Sequence, residues 1–242
     1  MRYIKLYLSF VKNSISREMM FRTHFIISFS ARLVWFLMFI LFYEILYSNI
    51  ETLGGWTHDQ SLLLLSVFFL IDTTGFMLFI KNFSTFPEYI SEGKLDILLT
   101  KPVDSQFMVS TRYFSLISMA SLAPPFFLFF NQLIKMNIEI TVAAVLLFLL
   151  FFIASLVIYY SIWFITNLIL FWVIRVEMLH EFFVTMFRFM QFPPDIFHQP
   201  LKFIFLTIFP ILFTISVPAQ ALMNIFDLES ISIFLITAVL SL

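Results

Sequence analysis

The chain has 242 residues, 61% of them hydrophobic and 12% charged, with a net charge of −1. Soluble domains carry about 45–50% apolar and about 25% charged residues, so this composition is that of an all-α polytopic membrane protein. Near-zero charge supplies no field for nucleic acid, and the absence of cysteine excludes disulfides, thiol catalysis and thiolate zinc sites.

Residues 1–24 read as an amphipathic interfacial helix. Ile4, Leu8, Val11, Ile15 and Met19 recur at helical spacing, and Arg2, Lys5, Lys12, Arg17 and Arg22 cover the other side. These five cations precede the first apolar run and place this end in the cytoplasm. There is no small-residue cleavage site, so the segment reads as retained and not as a signal peptide.

The first span is expected over 25–47, running outward; its 23 residues cover about 34 Å against a bilayer core of about 30 Å. It carries Arg32 toward the inner side and Glu44 toward the outer. The interval 48–60 has no Lys or Arg, contains Gly54–Gly55 and Trp56, and reads as a short external loop with an aromatic interface anchor. The second span, 61–80, returns inward with Asp72 and Gly75 inside it. Arg32 and Asp72 lie at similar depth and are candidates for an intramembrane ion pair, with Arg112 as a third ionisable candidate near the inner end of the next span.

The loop 81–106 contains the longest clearly polar interval, FPEYISEGKLDILLTKPV. Pro87 and Glu88 suit the first turn of a short helix, Gly93 interrupts it, and Pro102 ends the helical stretch beyond that glycine. Ile90, Leu95, Leu98 and Leu99 are expected on one apolar edge, with Glu88, Glu92, Lys94, Asp96 and Lys101 in water. The third span is expected over 107–130, kinked or broken at Pro124–Pro125. A short external loop comes next, over 131–139.

Residues 140–174 are apolar for 35 positions, too many for one comfortable span. A tight inner turn is expected near 160–167, giving a fourth span over 140–162 and a fifth over 167–190. An alternative, which hydropathy and the positive-inside rule favour, ends the fourth span near Ile174 and makes 175–191 a cytoplasmic surface helix. Pro193, Pro194, Pro200, Pro210 and Pro218 punctuate 192–224, which suits short helices that enter the membrane and turn back. A sixth span begins at 231 and reaches only 242, so it is incomplete as a crossing.

No enzyme chemistry is legible. His180-Glu181 opens like a zinc-protease helix, but Val184 stands where the second imidazole must lie. Glycine occurs only at 54, 55, 75 and 93, so no phosphate-binding loop can be built. The residues alone leave two transport readings open. One is a permease that works through a partner. The other is a stand-alone secondary transporter or channel using Arg32, Asp72 and Arg112. An internal repeat with broken helices in both halves marks many such carriers, whereas the prolines here concentrate in one half.

The segment EGKLDILLTKPVDSQF resembles the cytoplasmic loop of permease subunits of type-two ATP-binding-cassette (ABC) exporters. In one bacterial branch of these a G-x-L-D-x-L-L-x-[KR]-P pattern comes after the second span. Gly93, Leu95, Asp96, Leu98, Leu99, Lys101 and Pro102 match it. The proline-spaced end, with Pro193, Pro200, Pro210 and Pro218, is similar to the re-entrant external hairpin before the last helix of such permeases. The resemblance implies about six transmembrane helices behind an N-terminal elbow helix. It implies a coupling helix at 86–103, with Glu88 and Lys94 among its residues, lying in a groove of a separate cytoplasmic ATPase. A second permease chain, identical or related, completes the dimer. ATP and magnesium belong to that ATPase, with no cofactor in this chain. The partners are then the ATPase, a second permease and membrane lipid, with no nucleic acid, in a bacterial cytoplasmic membrane.

Overall fold

The computed structural model describes residues 2–138, 141–169, 185–198 and 212–223, with isolated positions at 200, 232, 234, 236 and 238. Among these residues every regular element is a helix, and one isolated bridge joins Leu53 to Trp56. Four stretches are long and apolar enough to cross a membrane: Arg22–Tyr47, His58–Ser91, Leu116–Lys135 and Val142–Ile169. They overlap the first four expected spans, though the third begins at Leu116 instead of 107 and the fourth runs on to Ile169. The fifth and sixth fall mostly outside the described residues.

Helix α1 (Arg2–Met20) lies at one end of the bundle. Its apolar stripe is present but does not face the bundle. Ile4, Leu8 and Met19 are exposed, and the side turned inward is the row Phe10, Ser14 and Glu18, spaced four residues apart. α1 thus turns Ile4, Leu8 and Met19 to its surroundings and offers the fold a mixed side, apolar at Leu6 and Phe10 and polar at Ser14 and Glu18.

α2 (Arg22–Tyr47) packs lightly, with a long exposed apolar face that includes Ile27, Val34 and Met38. α3 (His58–Gly75) is the central helix, buried on all sides from Leu62 to Ile71. Thr57 caps it in a reciprocal capping box with Gln60. A Gly54–Gly55 turn, both residues at positive φ, folds the α2–α3 loop back so that Leu53 and Trp56 exchange backbone hydrogen bonds. Trp56 is buried at 7% exposure, and its indole N–H donates to Asp195 at 3.0 Å. The expected interface anchor is therefore a staple to a distant segment, because a partner for the indole N–H lies inside the fold.

After Gly75 the central helix widens into a π-turn over Phe76–Ile80 and continues as α4 (Lys81–Ser84). α5 (Phe86–Ser91) and α6 (Lys94–Leu99) form a short helical hairpin, and α7 (Ser105–Thr111) comes next. The third span is broken twice. The first break spans 112–115, before α8 (Leu116–Ala120). The second precedes α9 (Ala123–Lys135), in whose first turn Pro124 and Pro125 sit. Proline suits that first turn, where its missing N–H has no intrahelical partner, so the break falls ahead of the prolines.

α10 runs unbroken over Val142–Ile169, about 42 Å. The expected turn near 160–167 is absent. The polar residues there return their hydrogen bonds to their own helix: Ser161 to Val157 O, Thr166 to Ile162 O at 2.7 Å and Asn167 to Trp163 O at 2.8 Å. Side chains satisfied in this way do not pull the helix apart. Helix 185–188 and the turns at 189–196 lead away from the α1 end. Phe187 stacks on Trp163, the Tyr43 hydroxyl donates to Gln191 O at 2.6 Å, and Asp195 reaches Trp56.

α11 (Phe213–Leu222) begins where Thr214 O accepts from Ser155, midway along α10. It ends at Gln220 and Met223, beside Gly54 and Trp56. This described helix therefore starts at mid-depth and finishes at the end opposite α1, with Pro218 buried inside it. Pro193 and Pro194 lie at that same end, Pro200 is an isolated exposed position, and Pro210 lies outside the described residues.

Candidate functional site: a helical hairpin at the α1 end and the charged groups above it

The α5–α6 hairpin is built around a small core of its own. Phe86, Tyr89, Leu95 and Leu98 pack with Met108 and Val109 of α7, flanked by Leu6 and Phe10 of α1. Gly93 joins the two helices at φ +66, a backbone conformation that costs residues with a Cβ about 1 kcal/mol or more. The expected apolar edge is corrected by the fold. Leu95 and Leu98 point inward with Ile90 against them, whereas Leu99 is exposed at 56% and Ile97 at 64%. Glu88, Glu92, Lys94, Asp96, Lys101 and Pro102 are at or near the surface. Lys94 pairs with Glu92 and, at 3.2 Å, with Glu88; these carboxylates, Glu92 first, hold its ammonium above the ordinary lysine range. The hairpin thus presents Asp96, Ile97, Leu99 and Lys101 on a scaffold fixed from behind.

Arg112 sits in the first break of the third span. Its guanidinium lies over the Tyr89 and Tyr113 rings at 5.8 and 5.6 Å and donates to the Tyr89 hydroxyl at 3.3 Å. It is a tether of the hairpin rather than a companion of Arg32 and Asp72.

The N–H groups of Tyr113, Phe114 and Ser115 in the break each find an acceptor, as buried backbone requires. Asn82 accepts from Tyr113 N–H at 2.6 Å and donates to Tyr113 O at 2.9 Å. The Ser115 N–H reaches Met77 O in the π-turn at 3.2 Å. Two groups of α1 supply the rest: Ser14 Oγ accepts from Phe114 N–H at 3.2 Å and Glu18 from Ile117 N–H at 3.1 Å. Glu18 also pairs with Lys81. A carboxylate at a helix N-terminus is favoured by the free N–H groups and the helix dipole. Sequence reasoning did not single out Ser14, Glu18 or Asn82, and took Lys81 only as a cytoplasmic marker of the loop. The available signal was a polar row at four-residue spacing on a helix whose apolar stripe drew attention first.

Arg32 and Asp72 face one cavity but do not form the expected direct pair. The Asp72 carboxylate accepts from the Tyr159 hydroxyl at 2.7 Å, on the side of α10. Arg32 lies over the Phe76 ring at 4.9 Å. Tyr159 can approach α3 so closely because Gly75 has no side chain; a Cβ there would stand 2.5 Å from the ring. The four glycines serve the turn at 54–55, this approach at 75 and the hairpin bend at 93. None begins a phosphate-binding loop ahead of a long helix.

A bundle of helices, four stretches of it long and apolar enough to cross a membrane, is the architecture of an all-α multi-pass membrane protein. The family model for ABC-2 family transporter proteins matches residues 33–242, and the chain belongs to that family. It is the permease subunit of an ABC transporter of the second type, which implies partnership with an ATP-binding subunit. No curated protein and no solved structure matches the chain.

Proposed function

We propose that this chain is the membrane-spanning half of an ATP-driven exporter and that the α5–α6 hairpin couples it to a separate ATPase on the cytoplasmic side. The observation that carries the reading is the exposed edge Asp96, Ile97, Leu99 and Lys101, held by the buried Leu95 and Leu98. A docking element must be rigid behind and complementary in front, and this edge mixes two apolar side chains with both signs of charge. ATP and magnesium sit on the ATPase, and this chain contributes no nucleotide site. The N-terminus then lies in the cytoplasm of a bacterium, with α1 at the inner face of its cytoplasmic membrane, and the Trp56–Asp195 end lies outside.

Movement of the ATPase reaches the spans through a chain of contacts. The hairpin holds Arg112 through Tyr89; Tyr113 is gripped by Asn82; and Asn82 comes just after the π-turn of the central helix. A π-turn inside an α-helix is frequently found at a functional site. The exposed apolar face of α2 is offered to lipid or to a second permease chain, identical or related. The family match sets aside the stand-alone carrier as the primary reading.

The test is to express the tagged chain from its native genomic context, extract it in mild detergent and identify what co-purifies. A stoichiometric ATPase, retained by the unaltered chain and lost from Asp96→Lys, supports the proposal. A clean single species that moves ions in vesicles without ATP overturns it.

A further inference from the structure

Between α2, α3 and the α8–α9 junction lies a cavity of about 260 Å³ lined by Arg32, Trp35, Phe69, Asp72, Thr73 and Pro125, among others. We propose that it holds the zwitterionic head group of a membrane amphiphile that enters sideways from the bilayer, its anionic group on Arg32 and its ammonium on Asp72. This deepens the permease reading and rests on it for the onward transport of the amphiphile, though not for its binding.

Charge points to a zwitterion. Among the described residues Arg32 has a ring contact with Phe76 but neither an ion pair nor a hydrogen bond. A guanidinium inside a membrane costs several kcal/mol unless an anion meets it. The nearby acid Glu18 is already taken by Lys81 and the Ile117 N–H. Asp72 uses one oxygen for Tyr159, and the carboxylate has no second hydrogen bond among the described residues. The cavity therefore presents one cation and one anion between aromatic walls, acting on each other through space but with no hydrogen bond between them, and the Arg188 guanidinium lies over the ring of the lining Trp35 at 5.9 Å. A ligand carrying both opposite charges satisfies each without leaving net charge in the membrane.

Size and access point to a head group. Pockets for drug-sized ligands run from about 300 to about 1,000 Å³, so this one suits a compact polar group rather than a whole hydrophobic molecule. Ala31 and Trp35, on its lining, are exposed on α2 beside Ile27, Val34 and Met38, and Phe126 and Phe127 of α9 are exposed as well. An acyl chain can stay against these surfaces while the head group enters. Arg32 lies ten residues beyond the start of α2, about 15 Å along the helix, so an occupant has left the usual level of lipid head groups.

Native mass spectrometry of the complex as purified provides the test, with dioleoyl phosphatidylethanolamine and dioleoyl phosphatidylglycerol as probes. The unaltered chain is expected to retain the first over the second by about tenfold, the scale of one charge-assisted contact. Arg32→Gln should lose both, and Asp72→Asn should bind the two alike. Ala31→Trp narrows the mouth from an exposed position without touching either charge, and should exclude both lipids while the protein melts as before. Equal retention of both lipids by all four proteins, or unaltered binding by Ala31→Trp, overturns the inference. No lipid in any of them, with the mouth cross-linked to a second permease, also overturns it. The assay needs no ATP, so its failure in a preparation that still carries the ATPase leaves the permease reading intact.

Discussion

Gly75 and Tyr159 are fitted to each other at the centre of the bundle. The ring occupies the space a Cβ would need and is walled by Phe79, Trp163 and Phe187, so it has little freedom to withdraw. Gly75→Ala is therefore expected to cost about 1–3 kcal/mol by overpacking and to pull the hydroxyl from Asp72. In a thermal melt in detergent this appears as a lowered midpoint, and pairing it with Tyr159→Ala should relieve most of the steric part. An unchanged midpoint for Gly75→Ala alone contradicts the fit. At the hairpin, Leu98 and Leu99 are neighbours in sequence with opposite environments. Leu98→Glu places a charge in the small core and should lower both stability and membrane yield. Leu99→Glu alters an exposed side chain and should leave yield and melting within about 0.5 kcal/mol of the unaltered chain while abolishing ATPase retention. Equal effects of the two on folding would show that Leu99 is not on an exposed edge.

The element that organises the α1 end is a break, the unwound stretch at 112–115 and the groups that satisfy it. Glu18 is the most committed of these, buried at 7% exposure and shared between Lys81 and the start of α8. Glu18→Gln keeps the shape but removes the charge from a largely buried pair, and is expected to destabilise by about 2–3 kcal/mol. Combined with Lys81→Met the loss should shrink, since the second change removes the orphaned cation. Additive losses in the double variant, measured by melting, contradict the coupling. Little of this was legible in the sequence. Periodicity located α1, α2, α3 and the hairpin, since those signals are local apolar spacing and the Pro87 and Gly93 punctuation. It did not show which face of α1 turns inward, because lipid and protein both welcome Ile4 and Leu8. Nor did it reveal the break at 112–115, which depends on Asn82, Ser14 and Glu18, residues 31 to 100 positions away. The unbroken α10 agrees, as far as the described residues go, with the alternative that ends the fourth span near Ile174, and the turn at 160–167 was expected for a related reason. Ser161, Thr166 and Asn167 look like the polar residues of a turn until their hydrogen bonds are seen to close on the same helix.

At the scale of the whole molecule, the fold places a rigid hairpin at one end, a stapled loop system at the other and a charged cavity between. Arg32 and Asp72 stood out in the sequence as charges within apolar runs, whereas the cavity they line was not legible, because Tyr159 takes Asp72 from 87 residues away. The absence of native cysteine makes the proposal that the hairpin couples to the ATPase directly testable. Single cysteines at Leu99, Ile97 and Thr52 can be labelled with a membrane-impermeant maleimide in the permease alone and in its complex with the ATPase. Leu99→Cys and Ile97→Cys are expected to react freely in the isolated chain and to be protected by the ATPase, with Thr52→Cys, exposed in the α2–α3 loop, reacting alike in both. Labelling of Leu99→Cys and Ile97→Cys at the same rate with and without a bound ATPase would contradict the assignment of the α5–α6 hairpin as the coupling element.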